Sequence, residues 1–344
     1  MGSDITYRCL SASKYEITIT VYRDCNGIPL GTVQVYTTTC NTSSWSRTDT
    51  LTEVSVRDIT GINPACTTQS RCNGSYIYGF EEHVLKDTID LSGLSCTEFS
   101  ISWQESARNS TITTGAADYN FYTEAILYNY PNVCNNSPIY TTPPAALLCV
   151  GANFQFNNGA LDTLDGDSLS FKLVDPLQAK GTIIPYNSPF SATKPLTFLG
   201  FPNQNLASPA GFRFDSTTGN LDFRATMTNQ VTVIVQEVTE WRKVNDTMRV
   251  VGKTRRDMQF IVINCGGNRN PVISSSSIAT CPNEQVCISI TTSDQDGDSV
   301  KLSWNNGIPN ATYTGSNGTV LMDTAQICWT PTEDNITNIP YNFT

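Results

Sequence analysis

Two short acidic stretches hold the residues best suited to chemistry. Ala160-Leu161-Asp162-Thr163-Leu164-Asp165-Gly166-Asp167-Ser168-Leu169-Ser170-Phe171 is the first. Ser293-Asp294-Gln295-Asp296-Gly297-Asp298-Ser299-Val300-Lys301-Leu302 is a shortened copy. The clustered carboxylates in each repel one another unless a cation joins them. A hard ion such as Ca²⁺ takes several carboxylate and carbonyl oxygens at once, and the glycine permits the turn that gathers them. Asp162, Asp165 and Asp167 are therefore one candidate Ca²⁺ set, and Asp294, Asp296 and Asp298 the other. Neither has the spacing of an EF-hand, with its glycine at the sixth loop position and its bidentate Glu at the twelfth. The plainer alternative is a solvated acidic turn between strands, where Asp and Gly are favoured anyway. Ca²⁺ bound here would stiffen a junction rather than catalyse a reaction.

Cysteine supplies the second kind of chemistry. The chain has 12 of them: Cys9, Cys25, Cys40, Cys66, Cys72, Cys96, Cys134, Cys149, Cys265, Cys281, Cys287 and Cys328. None forms the C-x-x-C pairs usual at zinc sites, so all are candidates for disulfides in an oxidising, extracellular setting. Cys66 with Cys72, and Cys281 with Cys287, bracket short loops, which makes local pairs plausible. The full connectivity is not fixed by sequence.

Other reactive types are sparse. His83 is the single histidine, and no strained nucleophile signature accompanies it. Glu81 and Glu82 are adjacent, so in a strand they face opposite sides and do not form a glycosidase pair by themselves. Trp103 and Trp329 sit in strand-like alternation and read as core. Trp45 and Trp241, flanked by polar or charged residues, are the candidates for ligand contact.

Composition narrows the class of partner. With 344 residues, the chain is long enough for two or three domains. Its net charge of -10 and pI near 4.6 argue against nucleic acid, which needs clustered Lys and Arg. No apolar run reaches transmembrane length. Strand-favouring Val, Ile, Tyr, Phe and Thr outweigh strong helix formers, which predicts an all-β chain.

The elements that must position these residues follow from periodicity. Tyr15 to Tyr22 alternates with period two, and Tyr15, Ile17, Ile19 and Val21 are expected to face a core. Cys25-Asn26-Gly27 reads as a hairpin turn, with Gly31 to Tyr36 returning and Val33 and Val35 on one face. Further strands are predicted at 50–56, 76–85, 98–103, 121–128, 153–156, 168–174, 219–223, 231–240 and 259–264. Pro131, Pro138, Pro143 and Pro144 mark a connection. Between Asp175 and Pro209 lies an insertion whose Phe190, Leu196, Phe198 and Phe201 must pack somewhere. The expected organisation is three β-sandwich modules, 4–130, 131–266 and 267–344, the last incomplete. The chain stops at Ile339-Pro340-Tyr341-Asn342-Phe343-Thr344, in what reads as a strand, which predicts that it continues or that another chain supplies the missing strand.

Asp4-Ile5-Thr6-Tyr7-Arg8-Cys9, then Tyr22-Arg23-Asp24-Cys25-Asn26-Gly27, Cys134-Asn135-Asn136-Ser137-Pro138 and the Asp-Gly-Asp-Ser stretch come in that order. In these motifs the chain resembles the N-terminal part of large surface proteins of the Bacteroidota, gliding-motility-associated and adhesin-like, exported by the type IX secretion system. The resemblance implies tandem immunoglobulin-like or cadherin-like modules and a C-terminal region that engages secretion and attachment machinery. It also implies O-glycosylation at Thr50, Thr88, Thr163, Thr247 and Thr324, each in an Asp-Thr pair. The expected function is a non-enzymatic, secreted cell-surface adhesin or its stalk, touching a surface, a glycan or neighbouring copies. The alternatives are a filament or sheath subunit that assembles by strand addition, and a carbohydrate-binding or carbohydrate-active protein.

Overall fold

The computed structural model describes residues 2–60, 70–203, 211–266, 271–274, 278–304, 306–308, 310–316 and 320–335. Those residues are all-β, with one 3-10 turn at Glu333–Asn335. The first seven strands are β1 (Gly2–Ser11), β2 (Lys14–Asp24), β3 (Gln34–Cys40), β4 (Ser46–Asp58), β5 (Phe80–Asp90), β6 (Glu98–Glu105) and β7 (Phe121–Tyr128). Their alternation sends Ile5, Tyr7, Tyr15, Ile17, Ile19, Val21, Leu85, Ile89, Phe99, Ile101, Trp103, Phe121, Ala125 and Leu127 into one buried cluster.

The Pro-rich connection and the second stretch bring β8 (Ile139–Tyr140), β9 (Ala145–Cys149), β10 (Asn153–Phe156), β11 (Ala160–Leu161), β12 (Ser168–Val174), β13 (Leu177–Ala179), β14 (Thr182–Ile183), β15 (Phe212–Phe214), β16 (Leu221–Arg224), β17 (Val231–Val244) and β18 (Thr247–Ile263). β17 and β18 form a long hairpin. Its turn residues Asn245 and Asp246 both have positive φ, at 48° and 60°, a conformation that Asn and Asp tolerate.

β18 is the hub. One edge pairs with β17 throughout. The other meets β7 at Gly252–Thr254, β1 at Arg256–Asp257 and, in parallel, β9 at Gln259–Ile263. Pairing therefore closes on itself through β18, β1, β2, β5, β4, β3, β6, β7 and back to β18. The cluster of inward side chains lies inside this ring. Above it, β17 and β18 are buried on both faces. Ile234, Met258, Phe260 and Val262 join one core with Phe156, Leu173, Leu196 and Phe223. Val231, Val233, Val235 and Ile261 join another with Ile112 and Ile184. A strand covered on both sides has no solvent face, which is why the sequence neighbours Val233, Ile234 and Val235, and Phe260, Ile261 and Val262, are all buried. Of the insertion's aromatics, Phe198 stacks on Phe201 with ring centroids 5.1 Å apart and lies tilted against Phe212 of β15 at 5.4 Å.

Two expectations are corrected. Residues 15–22 and 31–36 are not a hairpin, since β2 pairs with β1 and β5 while β3 pairs with β4 and β6. Val33 and Val35 lie outside, 66% and 44% exposed, because Gln34 and Tyr36 take the inward positions, and Gln34 Oε1 accepts the Trp103 indole N–H at 3.0 Å. The boundary near residue 130 does not divide the sheet either. β1 and β7 are hydrogen-bonded to β18, and β7 to β13, so residues on both sides share one 13-stranded sheet.

Beyond it, β19 (Val272–Ile273), β20 (Val286–Ser293), β21 (Thr312–Gly315) and β22 (Thr324–Trp329) form a separate four-stranded sheet. The expected strand at Ile339–Thr344 lies outside the described residues.

Candidate functional site

The first acidic stretch is the turn between β11 and β12, with Gly166 at φ 70°. Asp162 organises it from within: its carboxylate accepts the backbone N–H groups of Asp165 at 3.0 Å, Gly166 at 3.3 Å and Asp167 at 3.3 Å. Asp165 reaches back to the Pro-rich connection, accepting the Asn136 backbone N–H at 2.6 Å and its side-chain amide at 2.8 Å. Arg242, from β17, bridges the two remaining carboxylates. It meets Asp165 at 2.6 Å and Asp167 at 2.5 and 2.8 Å, and it donates to Asn135 Oδ1 at 2.8 Å.

A second tier lies beneath. The Asn135 amide donates to Tyr7 Oη at 3.1 Å and to Glu240 Oε1 at 3.3 Å, and Tyr7 Oη donates to Glu240 Oε2 at 3.2 Å. Glu240 is 0% exposed, and burial, followed by the charges of Asp162 and Asp167, holds its carboxyl well above the usual range. Burial, with Asp167 and Asp165 adding to it, pushes Asp162 up to about 6. Tyr7 is raised by burial and then by Glu240. Burial works against the Arg242 charge, but Asp167 and Asp165 outweigh it and the net shift is upward. Five segments of chain thus meet in one polar clamp, sealed by Gly252, where a Cβ would collide with the Glu240 carboxylate and the Tyr7 hydroxyl.

Oxygens of Asp162, Asp167 and Glu240 lie within 4.8 Å of one another, a set that sequence reading did not assemble. Its signal is Glu240 in phase with Ile234 and Val238 on the core face of β17. The set expected for Ca²⁺ fits poorly, because the guanidinium already occupies the position between Asp165 and Asp167. The second copy repeats the turn without that setting. Asp294 accepts the N–H groups of Asp296 at 2.8 Å and Asp298 at 3.1 Å, Gly297 has φ 79°, and Asp296 and Asp298 are exposed.

The remaining candidates separate. Trp45 is half-buried and packs edge-on to Phe99, with ring centroids 5.8 Å apart, so it belongs to the first core. Trp241 is 37% exposed and donates its indole N–H to Ser170 Oγ at 2.8 Å. Thr50, Thr88, Thr163, Thr247 and Thr324 are all exposed. His83 is bracketed by Glu53 at 2.5 Å and Glu81 at 3.0 Å, and Glu81 in turn pairs with Arg23.

Disulfides join Cys9 to Cys134, Cys25 to Cys72, Cys40 to Cys96, Cys149 to Cys265 and Cys287 to Cys328. Neither local pair forms. Cys72 is taken by Cys25 across the chain, Cys287 is taken by its direct cross-strand neighbour Cys328, and Cys281 is an exposed free thiol. Cys66 lies outside the described residues. Five bridges of this kind belong to an oxidising, extracellular setting, and no helix among the described residues is long and apolar enough to cross a membrane.

No protein-family model matches the chain, and no curated protein matches it. Among solved structures, a three-immunoglobulin-domain titin fragment, an E-to-A variant, aligns over 98% of this chain and 91% of its own length, at 8% identity and a TM-score of 0.20. An I-band fragment of titin aligns over 98% and 90%, at 8% identity and a TM-score of 0.19.

Proposed function

We propose that this chain is part of a secreted cell-surface adhesin or adhesin stalk and works mechanically, without catalysing a reaction. The observation that carries the reading is the long reach of its cross-links. Cys9–Cys134 and Cys149–Cys265 close loops of 125 and 116 residues, and the clamp ties together the two segments that Cys9–Cys134 joins, through Tyr7 and Asn135. Such bracing resists unfolding under load. The densest carboxylates are spent on this bracing, since Glu240 is enclosed by Tyr7, Asn135 and Gly252. Attachment or gliding at a bacterial surface is the setting that the sequence resemblance supplies, with O-glycans on the five exposed threonines.

Beads coated with the protein are expected to hold to a glycan-bearing or abiotic surface under flow, and to detach sooner after reduction. Beads that never attach would overturn the adhesin reading. Structural Ca²⁺, in this proposal, is taken by the exposed turn of Asp294, Asp296 and Asp298, and a thermal midpoint unmoved by chelation removes it. A filament subunit is the second reading. It is favoured by Val272, Ile273, Ile278, Val320, Leu321 and Met322 in the C-terminal module, all at least 40% exposed. Electron microscopy of the protein in its native surface material distinguishes regular polymers from single flexible strings.

A further inference from the structure

Outside the clamp, a cleft of about 130 Å³ lies on the outer face of the sheet, where β6, β7, β18 and β17 run side by side. Strand alternation brings its lining to one surface. Glu98 stands opposite Tyr128, Ile126 opposite Lys253, and Glu237 opposite Arg255. The charges are nearly balanced and mostly engaged. Arg255 pairs with Glu237 at 3.1 Å, Glu124 accepts from Ser100 and Tyr122 at 3.1 and 3.0 Å, and Glu98 accepts from Asn41 at 2.6 Å. These bonds fall on one oxygen of each carboxylate, and a carboxylate has about four acceptor positions in all. Lys253 is half-buried there and has no ion-pair partner among the described residues.

Aromatic rings flank the cleft. Tyr128 stacks on Tyr130 with centroids 6.1 Å apart and planes 10° from parallel, and the Arg249 guanidinium lies 5.6 Å from the Tyr130 ring. On the other side stands Trp241. Its bond to Ser170, the cross-strand neighbour of Thr239, places it on this same outer face. Tyr128 and Trp241 flank β18 at nearly the same level, two strand spacings or about 10 Å apart.

We propose that this face binds a neutral oligosaccharide lying across the strands, with Tyr128 and Trp241 as stacking platforms, Glu98, Glu124 and Glu237 accepting from its hydroxyls, and Lys253 and Arg255 donating. A polyanion is disfavoured by three carboxylates against two cations. A protein partner fits less well, because the core of a protein interface is depleted of charge and most of this lining is charged. Sugar rings match what remains: aromatic faces for their C–H groups, and donors and acceptors in alternation for their hydroxyls. The inference deepens the adhesin reading by naming the ligand class.

The test uses the full chain and short neutral oligosaccharides of glucose, xylose, mannose and N-acetylglucosamine, with acidic ones as comparison. Binding to at least one neutral probe, little changed by salt, is expected in titration calorimetry. Tyr128→Ala and Trp241→Ala should each weaken it about tenfold or more, Glu124→Gln should weaken it, and Tyr128→Phe should retain it. Hydrogen exchange of the unmodified protein should show protection of β7 and β17 on adding the probe, a result that does not depend on how any variant folds. Failure of every neutral probe, a preference for acidic ones, or unchanged binding by the Ala variants would overturn the proposal. Bead attachment without sugar binding sinks this inference alone, and sugar binding without attachment sinks only the adhesin reading.

Discussion

At the scale of single residues, the acidic turn shows what a clustered-carboxylate motif does when the chain supplies its own cation. Arg242 is the counter-charge for Asp165 and Asp167, with 24% of its side chain exposed. Its removal leaves those two carboxylates beside Asp162 and Glu240 with nothing to offset them. Breaking a fully buried pair costs about 3–5 kcal/mol, and partial exposure lowers that, so Arg242→Met is expected to cost about 2–3 kcal/mol in urea denaturation. The pH dependence has a definite sign. Glu240 and Asp162 hold their protons more tightly in the native state than in the unfolded chain, so their contribution is greatest at acid pH. It is lost as pH rises, between 3.8 and about 6 for Asp162 and from 4.5 upward for Glu240. The thermal midpoint should therefore fall across this range, and Glu240→Gln should flatten the fall and raise the midpoint at neutral pH. An unchanged profile in that variant would contradict the assignment. Asp162, Asp165 and Asp167 were legible as a group in the sequence because they are adjacent in it. Glu240, Tyr7 and Asn135 were not, because only tertiary pairing of β1, β17 and the Pro-rich connection brings them together.

At the scale of elements, legibility followed local periodicity. The strands at 121–128, 153–156 and 168–174 have the predicted limits, since each alternates or runs apolar over its own length. Partner choice was not legible. Cys25-Asn26-Gly27 looks like a hairpin turn, yet β2 takes its partners from β1 and β5, because pairing is decided by which inward faces complete the shared core. β17 and β18 show how closely such faces are fitted. Gly252 lies opposite Glu240 at the irregularity in register between Glu240 and Trp241, and its backbone requires no left-handed φ. Only space excludes a side chain there. Gly252→Ala should cost about 1–3 kcal/mol through overpacking. Combined with Glu240→Ala it should cost less than the two single changes added together, because the collision with the carboxylate is relieved and only that with the Tyr7 hydroxyl remains. Additive losses in chemical denaturation would show that the Tyr7 hydroxyl, and not the Glu240 carboxylate, sets the cost.

For the whole molecule, the question is how many parts unfold independently. Composition suggested three modules, and the Pro-rich segment after residue 130 looks like a linker when read alone. Hydrogen bonding reads otherwise. β18 holds β1 and β7 from one side of that segment and β9 and β17 from the other, the first core and the clamp share Tyr7, and Cys9–Cys134 spans the same junction. A strand that pairs with all of these cannot leave one part intact while the other melts. Scanning calorimetry is accordingly expected to show one cooperative transition for residues 2–266 and a separate one for the four-stranded C-terminal sheet, which pairs only with itself among the described residues. Replacing Cys9 and Cys134 by Ser should lower the large transition, by about 5 kcal/mol on loop-closure entropy for a 125-residue loop, and leave the small one in place. If residues 4–130 and 131–266 melted at different temperatures, the shared sheet would be incidental packing between two domains. If they melt together, load applied at one end of the body is borne by β18 and its neighbours as a unit, which is the property a surface stalk requires.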